Sequence, residues 1–152
     1  MPAPTIFDQD ALTRIDEAIC QAEKVTSGEI RLFVDRKCDG DVMDRAAFVF
    51  RRLNMHQTAE RNGVLIYLAI ESRRFAIIGD QGIHQHVGDD LWQHVRSEME
   101  SHFKNERFVE GVINGILSIG AALEKHFPYQ QGDRNELPNQ VVFGDSLDEK
   151  KD

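Results

Sequence analysis

The stretch Arg61–Ile83, RNGVLIYLAIESRRFAIIGDQGI, decides the fold. Val64 to Ile70 is an almost unbroken apolar run, the pattern of a strand buried on both faces. Glu71-Ser72-Arg73-Arg74 is a polar turn, and Phe75 to Ile78 is a short return strand. Together they predict an antiparallel hairpin. A hairpin sets the start of its first strand beside the end of its second. Arg61-Asn62-Gly63 and Gly79-Asp80-Gln81-Gly82 are therefore expected side by side.

Upstream, Asp8 or Asp10 caps a first helix reaching about Val25, with Leu12, Ile15, Ile19 and Ala22 at helical spacing. Thr26-Ser27-Gly28 stops it. Glu29 to Asp35 alternates Ile30, Leu32 and Val34 with polar partners, Phe33 excepted, and predicts a half-buried strand. A second helix runs from about Val42 to His56, with Met43, Ala46, Ala47, Phe50 and Leu53 inward. Downstream of the hairpin, Gly88 or Asp89 opens a third helix whose stripe is Leu91, Trp92, Val95, Met99 and Phe103. A fourth spans Phe108 to His126 and turns Val109, Val112, Ile113, Ile116, Leu117 and Leu123 inward. Gly111, Gly115 and Gly120 each cost about 1 kcal/mol against Ala in a helix. Their spacing predicts close packing against a neighbour. Pro128 ends the helix.

The order is α-β-α-β-β-α-α. Strand, helix and strand from Glu29 to Ile70 form a right-handed parallel crossover, and the hairpin adds an antiparallel strand. The predicted fold is α/β: a three-layer α/β/α sandwich around a small mixed sheet. Residues 1–127 are expected to form a single domain. Residues 128–152 are a polar tail, expected to be partly disordered or docked. In it, Val141-Val142-Phe143 is the one apolar spot able to add an edge strand.

A net charge of −8 over 152 residues argues against nucleic-acid or anionic-membrane partners, which need a basic face. The two cysteines, Cys20 and Cys38, belong to no CxxC pair and fit a reducing compartment. The N-terminus MPAPTIFDQD lacks the basic and apolar regions of a signal peptide, and no apolar run is long enough for a membrane span. The expected location is cytoplasmic.

The predicted topology sorts the loops. Ser27, Gly28, Glu29, Arg61 and Asn62 lie at the starts of strands one and two; Asp80 and Gly82 lie at the end of strand three, on the same edge. His84, His86, Asp89 and Asp90 follow directly. Glu29, Asp80 and Asp89, with the Asn62 carbonyl, make an oxygen set suited to Ca²⁺ or Mg²⁺. The alternative for each is local: Asp89 a helix cap, Asp80 a turn residue, Glu29 a surface strand residue. Asp35, Asp39, Asp41 and Asp44 gather at the opposite edge and read as a solvated loop with an aspartate cap for helix two. His84, His86, His94 and His102 lack a zinc spacing and read as solvated. No GxSxG and no Walker loop occurs.

Four motifs in this order resemble the TPM domain family: Ser27-Gly28-Glu29-Ile30, Arg61-Asn62-Gly63-Val64-Leu65, Arg73-Arg74-Phe75, and Gly79-Asp80-Gln81-Gly82-Ile83 followed by Asp89. The resemblance covers about Leu12 to Phe127 and implies an α/β/α sandwich. The family includes a thylakoid-lumen protein with acid phosphatase activity that takes part in photosystem II repair, and other members bind divalent cations. By position, the family's polar edge falls on Glu29, Asn62, Asp80 and Asp89. The proline that usually precedes the last of these is Gly88 here. Two functions follow as expectations. One is a metal-dependent phosphatase, a hydrolase of phosphate monoesters, with Arg61 as a phosphate contact. The other is a non-enzymatic module that binds a cation or a protein partner.

Overall fold

The computed structural model describes residues 7–85, 87–129 and 141–144. Helix α1 (Gln9–Glu23) starts at Asp8, whose carboxylate accepts the Ala11 amide at 2.9 Å. Strand β1 (Glu29–Asp35) leads to α2 (Val42–Arg52), where Asp41 accepts the amides of Met43 and Asp44. Asn54 at φ 58° ends that helical run, and a 3₁₀ turn (Met55–Gln57) follows. Then come β2 (Gly63–Ala69), β3 (Arg74–Gly79), the short α3 (Gln81–His84), α4 (Asp89–Lys104), α5 (Phe108–His126) and β4 (Val142–Phe143).

The sheet order is β3-β2-β1-β4. Strands β1 and β2 are parallel, with Glu29 opposite Gly63; β2 and β3 are antiparallel, with Val64 opposite Gly79. The starts of β1 and β2 and the end of β3 thus share one edge, as the hairpin predicts. Phe33 and Val34 pair with Val142 and Phe143, so the apolar spot of the tail is an edge strand parallel to β1. Tyr129 also holds to the domain, its amide donating to the Val25 carbonyl at 3.2 Å. Residues 130–140 and 145–152 of the tail lie outside the described residues.

Helices cover both faces. On one, α1, α4 and α5 bury Ile30, Leu32, Val34, Val64, Ile66 and Leu68. On the other, α2 and the 3₁₀ turn cover Phe33, Leu65 and Tyr67. The three-layer sandwich is therefore present, with α1, α4 and α5 on one side and α2 on the other. Helix α5 approaches its neighbours closely at its glycines: a Cβ on Gly111 or Gly115 would stand 2.7 Å from Phe103 or 2.8 Å from Met99.

Four expectations change. Strand β1 is buried along its whole length, because the α2 layer covers its second face and its polar residues have partners inside. Helix α2 ends at Arg52 and turns Ala46, Val49 and Phe50 inward, leaving Met43 and Ala47 exposed. The loop after β3 contains a helical turn, α3, capped by Asp80; four residues are too few to show a period. In α5, Leu117 is 38% exposed rather than buried. Among the described residues no helix is long and apolar enough to cross a membrane.

Candidate functional site

The shared edge is clipped together by the backbone. Asp80 N–H donates to the Gly63 carbonyl and Gly82 N–H to the Arg61 carbonyl, both at 2.9 Å. A Cβ on Gly82 would stand 2.3 Å from the Glu60 carbonyl oxygen, so only glycine permits this approach. Arg61 takes a left-handed backbone, φ 52°.

Asp80 is 6% exposed. Its Oδ2 accepts Arg61 Nε at 2.7 Å, and its Oδ1 accepts Arg61 Nη2 at 2.9 Å and the Gln81 amide at 2.8 Å. Arg61 and Asp80 form a two-pronged ion pair, the strong form of charge-assisted contact. The Arg61 side chain remains 40% exposed.

Asn62 is 1% exposed. Its amide N–H donates to Thr58 Oγ1 at 3.1 Å, and its Nδ2 donates to Ser27 Oγ at 3.3 Å. Ser27 in turn donates to Glu60 at 2.9 Å. The Asn62 Oδ1 is buried without a hydrogen-bond partner. An unpaired buried acceptor costs about 1–3 kcal/mol. Its bonding capacity is therefore open.

Glu29 begins β1 and is 3% exposed. Its carboxyl shares a hydrogen bond with Glu23, from the last turn of α1. Glu23 Oε2 accepts the Ile30 amide at 2.9 Å. Burial pushes the Glu23 carboxyl up to about 8, and the neighbouring Glu29 charge adds to this; the Ile30 N–H and Arg31 pull the other way. Asp89 is exposed in the first turn of α4, behind the Gly88 cap.

Glu29, Asn62 and Asp80 share an edge, but the two carboxyl groups take separate partners, Glu23 and Arg61. Among the described residues no three His, Cys, Asp or Glu side chains group to hold a metal ion. A hard cation fits Asn62 Oδ1 as a neutral oxygen donor. It fits Asp80 only if Arg61 gives way. It fits Glu29 poorly, since that carboxyl is engaged with Glu23. His84 is exposed, His94 faces Glu98 at 3.4 Å, and His102 Nδ1 lies 2.9 Å from the Glu98 carbonyl; His86 lies outside the described residues.

The opposite edge holds a polar network that the sequence reading missed. Asp35 accepts Arg45 Nε at 2.9 Å and Nη2 at 3.3 Å, and also accepts the Tyr67 hydroxyl. Burial raises the Tyr67 pKa and the Asp35 carboxylate raises it further. Burial opposes the Arg45 charge, but Asp35 outweighs it and the net shift is upward. A tyrosine inside an apolar strand is the available signal, because its buried hydroxyl requires a partner. The rest of that acidic group is local, as expected: Asp41 caps α2, and exposed Asp39 lies 3.8 Å from Lys37.

The sequence profile of the TPM domain family matches residues 3–122. The solution structure of BA42 protein from the psychrophilic bacterium Bizionia argentinensis is similar, at TM-score 0.85 and 44% identity over 89% of this chain and 93% of that one. The N-terminal domain of a P. gingivalis protein superposes at TM-score 0.64 and 18% identity, covering 79% of this chain and 78% of that one. The N-terminal domain of a Corynebacterium glutamicum protein does so at 0.62 and 14%, over 89% and 79%. At those identities the last two show a shared fold. No curated protein matches the chain.

Proposed function

Because the chain belongs to the TPM domain family, we propose that it is a binding module for a hard divalent cation, Ca²⁺ or Mg²⁺, held at the β1–β2–β3 edge by Asn62 and Asp80. The observation that carries this reading is the buried Asn62 Oδ1, an oxygen donor with no protein partner. Asp80 supplies charge once its partner Arg61, whose side chain is 40% exposed, swings aside. Asp89 is the further candidate ligand. Glu29 is left out of the set because its carboxyl is shared with Glu23. Phosphate ester hydrolysis asks for more: Arg61, once released from Asp80, would also have to meet the substrate. The binding reading therefore stands first.

Thermal melting with added Ca²⁺ or Mg²⁺ tests it. A ligand that binds only the folded chain raises the melting temperature. Asp80→Asn should abolish that rise, and Asp39→Asn, on the opposite edge, should preserve it. No shift at millimolar concentration of either ion overturns the proposal, and so does a shift lost in Asp39→Asn alone. Turnover of p-nitrophenyl phosphate that disappears in Asp80→Asn would move the reading to a phosphatase.

A further inference from the structure

At the sheet edge opposite Asn62 and Asp80, the β2–β3 hairpin and the facing ends of α4 and α5 enclose a cleft of about 410 Å³. That size falls within the roughly 300–1,000 Å³ of small-molecule sites. Its walls are apolar: Leu68, Phe75, Phe103 and Phe108. The rings are ordered among themselves. Phe75 meets Phe103 edge-on at 5.2 Å between centroids, and Phe103 stacks on Phe108 at 5.4 Å.

The rim is basic. Arg73, Arg74 and Lys104 line the cleft with a single acid, Glu100. Arg74 is occupied, donating to the Gly40 carbonyl at 2.6 Å. Arg73 and Lys104 are exposed, and neither takes part in an ion pair among the described residues. In a chain of net charge −8, three cations around one apolar cleft run against the whole-molecule trend. Arg73 is also held at φ 54°, an uncommon conformation for a residue that is not glycine. Its backbone N–H reaches the Ile70 carbonyl at 3.1 Å, which presents the side chain from the tip of the hairpin.

We propose that this cleft binds a small amphipathic carboxylate, with its aliphatic or aromatic body on the phenylalanine walls and its carboxylate between Arg73 and Lys104. Apolar walls give affinity to the body, and the paired cations select the anion. The α4 C-terminus directs carbonyl oxygens toward this region, which disfavours an anion; Lys104 in that last turn offsets them. The site is independent of the cation edge, so each proposal can fail without the other.

Two probes suffice: the aromatic anion 1-anilinonaphthalene-8-sulfonate, followed by fluorescence, and decanoate as its competitor. The whole chain should enhance the fluorescence, and decanoate should displace the dye. Decanol, with the same chain and no charge, should compete about tenfold less well. Lys104→Glu should weaken decanoate on the order of tenfold, while Glu100→Gln should tighten it. Lys24→Glu, an equal charge change near the other sheet edge, should leave decanoate binding as it is. Failure of decanoate to displace the dye overturns the proposal. So does equal competition by decanol, or an equal loss in Lys24→Glu and Lys104→Glu.

Discussion

Arg61 and Asp80 are joined by two parallel hydrogen bonds, Nε to Oδ2 at 2.7 Å and Nη2 to Oδ1 at 2.9 Å. The same Asp80 oxygens are those a cation would need, so Arg61 is a built-in competitor for them. Arg61→Asn removes the competitor and keeps a residue that tolerates the left-handed backbone at this position. Without added cation the variant should melt below the wild type, because Asp80 loses its charged partner while buried. With Ca²⁺ or Mg²⁺ its melting temperature should rise further, and at lower concentration, than that of the wild type. An unchanged midpoint in the titration would place the ion away from Asp80.

Gly82 sits where α3 passes over the Glu60 and Arg61 carbonyls. A methyl group there would meet backbone, 2.3 Å and 2.6 Å away, and neither oxygen can rotate aside. Gly82→Ala should cost about 1–3 kcal/mol from overpacking. Gly40→Ala, with nothing within 4 Å of its Cβ, should stay within about 0.5 kcal/mol of the wild type. Urea unfolding of the two variants compares them. A similar small change in both would show that the clip at Gly82 opens without cost.

The order of elements was legible because the long helices carry clear periods and β2 is an almost unbroken apolar run, and the register then followed from the hairpin. Strand β1 misled because Arg31 and Asp35 read as solvent-facing by alternation, whereas the α2 layer buries that face and Arg45 and Tyr67 satisfy Asp35. In helix α2 Ala46, Phe50 and Leu53 face the core as their spacing predicts, while Met43 and Ala47 are apolar but exposed and Val49 lies inward in their place. At the candidate site, topology brought Glu29, Asn62 and Asp80 to one edge. It could not show which way each carboxyl turns: Asp80 to Arg61, and Glu29 to Glu23 across the turn between α1 and β1. Those choices depend on rotamers and on burial, neither of which has a signature in residue spacing.

Trp92 lies on the inward face of α4, 7% exposed, with its ring edge near Gly79 and Ile83 in the packed layer. Trp92→Ala should cost about 3–5 kcal/mol in urea unfolding. Its indole Nε1 is buried without a partner. Trp92→Phe removes that unpaired donor together with part of the ring, so it should cost clearly less than the alanine change. If Trp92→Ala costs under about 1 kcal/mol, the residue does not anchor this face.

Glu23 links helix, strand and pH. Its carboxyl is buried at the end of α1, accepts the Ile30 amide and shares a hydrogen bond with Glu29. Burial first, and then the Glu29 charge, lift it from an ordinary value of 4.5 to about 8. The folded chain therefore keeps a proton that the unfolded chain gives up. This contribution to stability is complete below pH 4.5, declines as pH rises, and is gone above about pH 8. Glu23→Gln fixes the neutral form: its amide oxygen still accepts the Ile30 N–H, and its amide nitrogen can donate to Glu29. The variant should lose less stability than the wild type between pH 6 and 8.5, and should be the more stable of the two at pH 8.5. Glu17→Gln, exposed on the same helix, makes the same change in formal charge and should reproduce neither effect. Urea unfolding across that pH range measures both. Parallel pH curves for wild type and Glu23→Gln would mean that Glu23 is already ionised in the folded chain, with the Glu23–Glu29 contact held some other way.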